Sequence, residues 1–375
     1  MELIINIFSL VGSLALFLYG MKTMSEGLEK FAGDRLRSIL AAMTKNRVMG
    51  VLTGILITAL IQSSSATTVM VVSFVNAGLM TLAQSIGVIM GANIGTTVTA
   101  WIISAVGFKV NIAAFAIPLL AIGMPLIFSK KGNHKSIGEF IFGFSFLFMG
   151  LSFLQEAATA MNIGDMVAGM LAHVPQDSFF TIILLCVVGA LVTMIVQASA
   201  ATMAITLMLF GMNIPGFGFE QAAALAMGQN IGTTITAFMA SLTANTQARR
   251  AALAHMFFNV FGVVVFLIVF YPACDAVSWF VDRVMGGGNE LYKLSTFHTA
   301  FNVINTLLLI GFVKQIEMFV CRVLPMKAQD EDYRLRLSVA VCSLQPNSAL
   351  WRHRRRFAVL LSVVSAWQVS CPRSW

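Results

Sequence analysis

The tract Gln62-Ser63-Ser64-Ser65-Ala66-Thr67-Thr68 sets five hydroxyls and an amide inside an otherwise apolar run. If the backbone reverses here, the helix after the turn begins at the serines. Free N–H groups and a partial positive charge collect at such a helix start. With several hydroxyl donors added, that is an anion site needing neither Lys nor Arg. Gln62 supplies both an amide donor and a carbonyl acceptor. A lone Ser-Ser-Ser in an apolar helix has a plainer use, letting helices approach closely. Recurrence argues against that use here. Residues 189–202, GALVTMIVQASAAT, repeat residues 54–68, GILITALIQSSSATT, and bring back Gln197, Ser199 and Thr202.

A second tract recurs downstream of each bend. GANIGTTVTA (91–100) and GQNIGTTITA (228–237) agree at eight of ten positions. Their glycines would let a helix unwind. Opened carbonyls, the oxygens of Asn93 and Asn230, and the hydroxyls of Thr96, Thr97, Thr233 and Thr234 are hard ligands suited to Na⁺ or to the substrate. A discontinuous helix is therefore expected at 81–106 and again at 220–243. The plainer alternative is a glycine-hinged kink with the threonines bonding back to the preceding turn. His255 and Asn259, like His298 and Asn302, lie four apart on one helix face. A satisfied interhelical hydrogen bond is the simplest role for each pair; support of a broken helix or gating is the alternative.

Charge is missing where an ion would pass. Segments 81–106 and 220–243 contain no Asp, Glu, Lys or Arg except Glu220 at one end. An anion crossing there must be balanced by helix dipoles and a co-bound cation. Proton coupling usually requires an intramembrane carboxylate or His, so Na⁺ is the expected coupling ion. No acid, base and nucleophile converge, so an enzyme is not expected. No cofactor beyond the coupling ion is expected either.

The elements that must position these residues are membrane helices. The 375 residues are 58% hydrophobic and only 11% charged, with a mean hydropathy of +0.85; soluble domains carry about 25% charged residues. The net charge of +8 fits basic cytoplasmic loops and an unusual tail rather than nucleic acid. Five cysteines without a CxxC pair give no disulfide framework and no transition-metal site. The first segment lacks a basic leader and reads as a retained helix.

Apolar segments fall at about 3–21, 48–76, 81–106, 111–128, 139–155, 179–212, 220–243, 253–272 and 296–314. Each half of 48–76 and of 179–212, at roughly 12–15 residues, is too short to cross alone. Both read as re-entrant hairpins. With that topology the loops 22–47 (+3), 129–138 (+3) and 244–250 (+2) share one side, opposite 156–178 (−3) and 273–295 (−1). The basic side is cytoplasmic, so the N-terminus is outside and the tail inside. The same arrangement inverts one half relative to the other. The expected fold is an all-α integral membrane protein, an inverted-repeat secondary transporter with two re-entrant hairpins and two broken transmembrane helices. Its parts are repeat 1 (1–138), repeat 2 with a terminal helix (139–325), and a tail (326–375). After about Leu337 the tail loses periodicity and reads as a truncated or aberrant end rather than a juxtamembrane basic helix.

With these motifs in view, the chain resembles the type II sodium–phosphate cotransporter family, and within it the bacterial members that often carry a PhoU-like domain. The QSSS tract at 62–65, the GANIGTT tract, the return of both, and HMFFN at 255–259 carry the resemblance, which spans about residues 5–325. It implies Na⁺-driven symport of inorganic phosphate across the cell (inner) membrane. It assigns phosphate to Gln62, Ser63, Ser64, Ser65, Gln197 and Ser199. The expected sodium set is Thr67, Asn93, Thr96, Thr97, Thr202, Asn230, Thr233 and Thr234, with His255 and Asn259 in support or gating. The expected partners are phosphate, Na⁺ and the lipid bilayer; a homodimer is compatible with the plan. Two departures matter. Ala198 and Ala200 replace hydroxyls usual in animal members. No Asp occurs in Ala105-Val106-Gly107-Phe108-Lys109, which implies electroneutral transport. The alternatives are a Na⁺-coupled carrier of another small oxyanion, and a non-transporting membrane component of phosphate sensing.

Overall fold

The computed structural model describes residues 1–32, 46–106, 112–175, 178–287 and 289–325, and these are all-helical apart from connections. The segment 107–109 and the tail from 326, on which two expectations rest, lie outside the described residues. Among the described residues, five helices are long and apolar enough to cross a membrane, and a bent pair would make a sixth. The chain is a multi-pass membrane protein.

Helix α1 (Glu2–Ala32) runs well past the apolar stretch that ends near Met21. Lys22, Glu26 and Lys30 follow one another at four-residue steps and pair along its polar face, and Lys30 reaches Glu139 on α6 (Gly132–Ala160) at 2.7 Å. The two helices meet through glycines on both sides. Gly20 and Gly27 face the α6 backbone near Leu147 and Phe140, and Gly143 and Gly150 face α1 near Met24 and Phe17. Dispersion between closely approaching backbones is what holds helices together when the solvent is itself apolar. Between them in sequence, α5 (Ile112–Ile127) carries Pro118 and Pro125 and packs on α6.

The first bend joins α2 (Arg47–Ile61) to α3 (Ser64–Asn76). Its chain reversal shows in the side chains. Thr58 donates to Thr67 at 3.0 Å, and Ile57 packs on Met70 and Phe74. A straight helix would hold residues nine apart about 13 Å from each other. The second bend joins α8 (Phe179–Val196) to α9 (Ser199–Gly211). Here the first limb is longer than the half-run expected. Ser178 caps its start, and the 18 apolar residues that follow are enough for a full span by length. Between α6 and this bend lies the short α7 (Ile163–Leu171).

The long helices α4 (Leu82–Val106) and α10 (Phe219–Ser241) correct the expectation of broken spans: both are continuous helix through their GxNIGTT tracts. The glycines serve close approach, not unwinding. A Cβ on Gly91 would strike the Val51 carbonyl, and one on Gly95 would strike Thr58; a Cβ on Gly228 would strike the Cys186 carbonyl, and one on Gly232 would strike Thr193. Each long helix is thus sunk onto the first limb of its own hairpin, and the two halves repeat the contact residue for residue.

After α10 come α11 (Thr246–Ile268), α12 (Phe270–Arg283), α13 (Leu291–Ile310) and α14 (Val313–Val323). Helix α14 departs from α13 at 83°. The two hairpins touch opposite ends of α13. Arg47, at the start of α2, reaches the Gly311 carbonyl at 3.2 Å, while Gly211, at the end of α9, lies against Leu291. Asn76, at the other foot of the first hairpin, bonds Asn245 at the start of α11.

Candidate substrate and ion site

The first bend owes its shape to Gln62, which takes a left-handed conformation (φ 55°, ψ 24°) that is uncommon for residues other than Gly. Both ends of its amide are engaged. Nε2 donates to the Ala59 carbonyl at 2.5 Å, and Oε1 accepts from Thr99 of α4 at 2.9 Å. Ser25 of α1 donates to the neighbouring Ile61 carbonyl. Ser63 caps α3 by accepting from the Ala66 N–H at 3.1 Å. Gln62, Ser64, Thr67 and Thr68 are buried, and Ser63 and Ser65 are partly exposed. The bend therefore places the N-terminus of α3, with its hydroxyls, against the middle of α4.

The second bend repeats the backbone and changes the surroundings. Gln197 has φ 55° and ψ 22°. Its side chain is exposed, and Nε2 lies 3.7 Å from the Met239 sulfur. Ala198 starts α9 without a side-chain cap, and Ser199 is partly exposed. Within each half, then, the glutamine bend and the GxNIGTT helix come together as expected. The halves also interlock: α3 packs against α10, and α9 packs against α4. Each serine-led limb thereby lies on the long helix of the opposite half.

The threonines of the repeated tracts bond back along their own helices. Thr96 and Thr97 donate to the carbonyls of Ala92 and Ile94; Thr233 and Thr234 donate to those of Gln229 and Ile231. Because the helices stay wound, these carbonyls are not opened toward a ligand. What the threonines still offer are hydroxyl lone pairs. Thr67 and Thr202 likewise donate to Ser63 and Ala198. The asparagines reach across helices instead. Asn93 donates to Asn259 at 3.2 Å, Asn259 donates to the His255 carbonyl at 2.9 Å, and Asn230 lies 3.4 Å from His298. Asn259 thus meets the repeated tract directly, while both ring nitrogens of buried His255 have no protein partner.

Several residues at this site fall outside the expected phosphate and sodium sets. Thr58 and Thr99 tie the first bend, and Thr206 accepts from Gln229 at 2.7 Å. A signal was present for Thr58: Thr193 stands at the same distance before the second glutamine. Ser295 and Thr299, which join α13 to Ala100, Ser104 and Trp101 of α4, had no such marker. Among the described residues, the unpartnered buried polar atoms fall on α10, α11 and α13, and include Gln229 Oε1, Asn230 Nδ2, His298 Nδ1 and Asn302 Oδ1. Such atoms are rare in folded proteins and need a partner from water or a ligand.

Comparison with known proteins bears on this arrangement. The sequence pattern of the Na⁺/Pi-cotransporter family matches residues 16–156 and 160–281. The uncharacterized protein YqeW of Bacillus subtilis (strain 168) is 32% identical over 316 residues, covering 83% of this chain and 96% of that protein. YjbB of Escherichia coli (strain K12), named as a candidate inorganic phosphate export protein, is 26% identical over 333 residues, or 88% of this chain; the chain spans 58% of YjbB. Sodium-dependent phosphate transport protein 2A of Rattus norvegicus is 39% identical over 99 residues, 25% of this chain and 15% of that protein. No solved structure matches.

Proposed function

The chain belongs to the Na⁺/Pi-cotransporter family, and from that membership we propose that it is a sodium-coupled symporter of inorganic phosphate working by alternating access. The observation that carries the reading is the interlock of the halves: two matched glutamine bends, each with its second limb laid on the other half's long helix. Phosphate binds between the bends near the bilayer midplane. Ser63, Ser64, Ser65 and Ser199 donate hydroxyls, and the N-termini of α3 and α9 add partial positive charge. Gln62, Gln197, the asparagines and the threonine pairs complete the phosphate and Na⁺ shells. Na⁺ supplies the positive charge that the long helices lack, so it favours the phosphate-loaded state, and one half then rocks against the other. The attachment of the hairpins to opposite ends of α13 supports the inverted arrangement. A cell (inner) membrane location belongs to the same proposal, and the one-sided basic loops favour an N-terminus outside and a C-terminus in the cytoplasm.

Radiolabelled phosphate flux in proteoliposomes tests the reading. Uptake should follow an imposed Na⁺ gradient, and Ser64→Ala should raise the phosphate KM about tenfold, the loss of one hydrogen bond to a charged group. Flux indifferent to Na⁺ rejects the coupling, and an unchanged KM rejects the site. The name of the E. coli relative motivates outward phosphate movement as a second reading. Gradients imposed in each direction separate the two.

A further inference from the structure

The long helices carry one asparagine each at the same place in the repeated tract, and the two are held in opposite senses. Beside the first-half Asn93, Asn259 of α11 donates its Nδ2 to the His255 carbonyl. A backbone carbonyl can only accept, so this bond fixes which end of Asn259 is nitrogen. Asn259 Oδ1 must then accept from Asn93 Nδ2, as it does at 3.2 Å. One N–H of Asn93 is thereby used, and among the described residues no hydrogen bond reaches its carbonyl oxygen.

In the second half, Asn302 donates to the His298 carbonyl at 2.9 Å in the same four-residue arrangement. Yet it is the imidazole, not Asn302, that reaches the repeated tract. His298 Nε2 lies 3.4 Å from Asn230 Oδ1. With that oxygen accepting, the ring proton sits on Nε2. Asn230 Nδ2 is then left buried and unpartnered, as are Asn302 Oδ1 and His298 Nδ1. The bonds of Asn289 to the Ser104 carbonyl and of Ser295 to the Ala100 carbonyl run in opposite senses along the two helices and set α13 antiparallel to α4. Seven residues along each helix from the Ala100–Ser295 contact, in opposite directions, Asn302 comes level with Asn93. Two free amide oxygens therefore share the layer of Asn93, while the amino group of Asn230 is free on the other long helix.

An amide oxygen is a cation ligand; an amide NH₂ donates to an oxyanion and offers a cation nothing. We propose that the repeated asparagines divide the two ions, the Asn93 carbonyl serving Na⁺ and the Asn230 amino group serving phosphate, with His298 as the positioning residue that keeps Asn230 turned. This rests on the symport reading and moves Asn230 from the expected sodium set to the anion. His298 itself touches neither ion.

The test measures phosphate KM and the half-saturating Na⁺ concentration for the full chain in proteoliposomes. His298→Leu removes the ring donor and should raise phosphate KM about tenfold with half-saturating Na⁺ within about twofold. His298→Gln restores an N–H donor at similar reach and should return phosphate KM to within about twofold of wild type. Asn230→Asp keeps the shape and the acceptor for His298 but replaces the amino group by oxygen; it should lose phosphate affinity without weakening Na⁺, and it reports even if His298→Leu does not fold. Asn259→Leu frees Asn93 and should do the reverse, raising half-saturating Na⁺ with phosphate KM unchanged. Equal shifts in both ions, no rescue by Gln, or a Na⁺ defect in Asn230→Asp overturns the division while symport stands. Wild-type flux without Na⁺ dependence overturns symport and the division with it.

Discussion

The two glutamine bends have the same backbone and different neighbours. Gln62 is buried, its amide divided between the Ala59 carbonyl and Thr99, and Ser63 caps the helix that follows. Gln197 is exposed, the matching Thr236 bonds Thr233 of its own helix instead, and Ala198 caps nothing. A duplicated chain folded with both halves in the same setting would have no means of telling one membrane face from the other. Here the closed bend and the open bend are one local structure in two environments. On the alternating-access proposal, that is the asymmetry the halves would exchange.

What the bends share should break first. Gly91 and Gly228 press on the backbones of Val51 and Cys186, which cannot move aside as a side chain can. Gly91→Val and Gly228→Val should each cost about 3 kcal/mol or more and should remove the folded protein from membranes, measured by monodisperse recovery in detergent. Tolerance of one and not the other would mean that the seam is not common to both halves.

The next effect separates the bends. Gln62→Ala leaves the buried Thr99 hydroxyl without its acceptor and should lower stability by about 1–3 kcal/mol. Gln197→Ala, on an exposed side chain, should stay within about 0.5 kcal/mol. Thermal unfolding of the two variants side by side reads the difference, and equal losses would dissolve the contrast between the bends. The smallest change sharpens it. Ala198→Ser gives the second bend the cap that the first has, and should stabilise by about 0.5–1 kcal/mol; no gain would show that the first turn of α9 is already satisfied some other way.

The bends were legible in the sequence because polar residues are costly inside an apolar membrane run unless they have a task there, and because they occur twice. The wound state of α4 and α10 was not. Asn-Ile-Gly-Thr-Thr read along one segment looks like a helix breaker. The glycines answer instead to Val51, Thr58, Cys186 and Thr193 on another helix, and no local propensity contains that information. The threonines compounded the misreading, since hydroxyls that bond back to their own helix and hydroxyls that await a ligand are spelled alike. His-x-x-x-Asn was readable as a bonding face, but not that one copy would use its Asn and the other its ring. Exposure of Gln197 was equally hidden, because its neighbours are set by packing between halves.

Helix α13 is fastened near Leu291 to the last residue of one hairpin and at Gly311 to the first residue of the other. Under the proposed rocking of the halves it would act as a lever. A rod of about 30 Å pivoting at its centre by roughly 10° carries its tips some 2–3 Å in opposite senses. On that proposal, a shift at the foot of one hairpin would reach the foot of the other through the rod itself, with no signal needing to pass through bound ions.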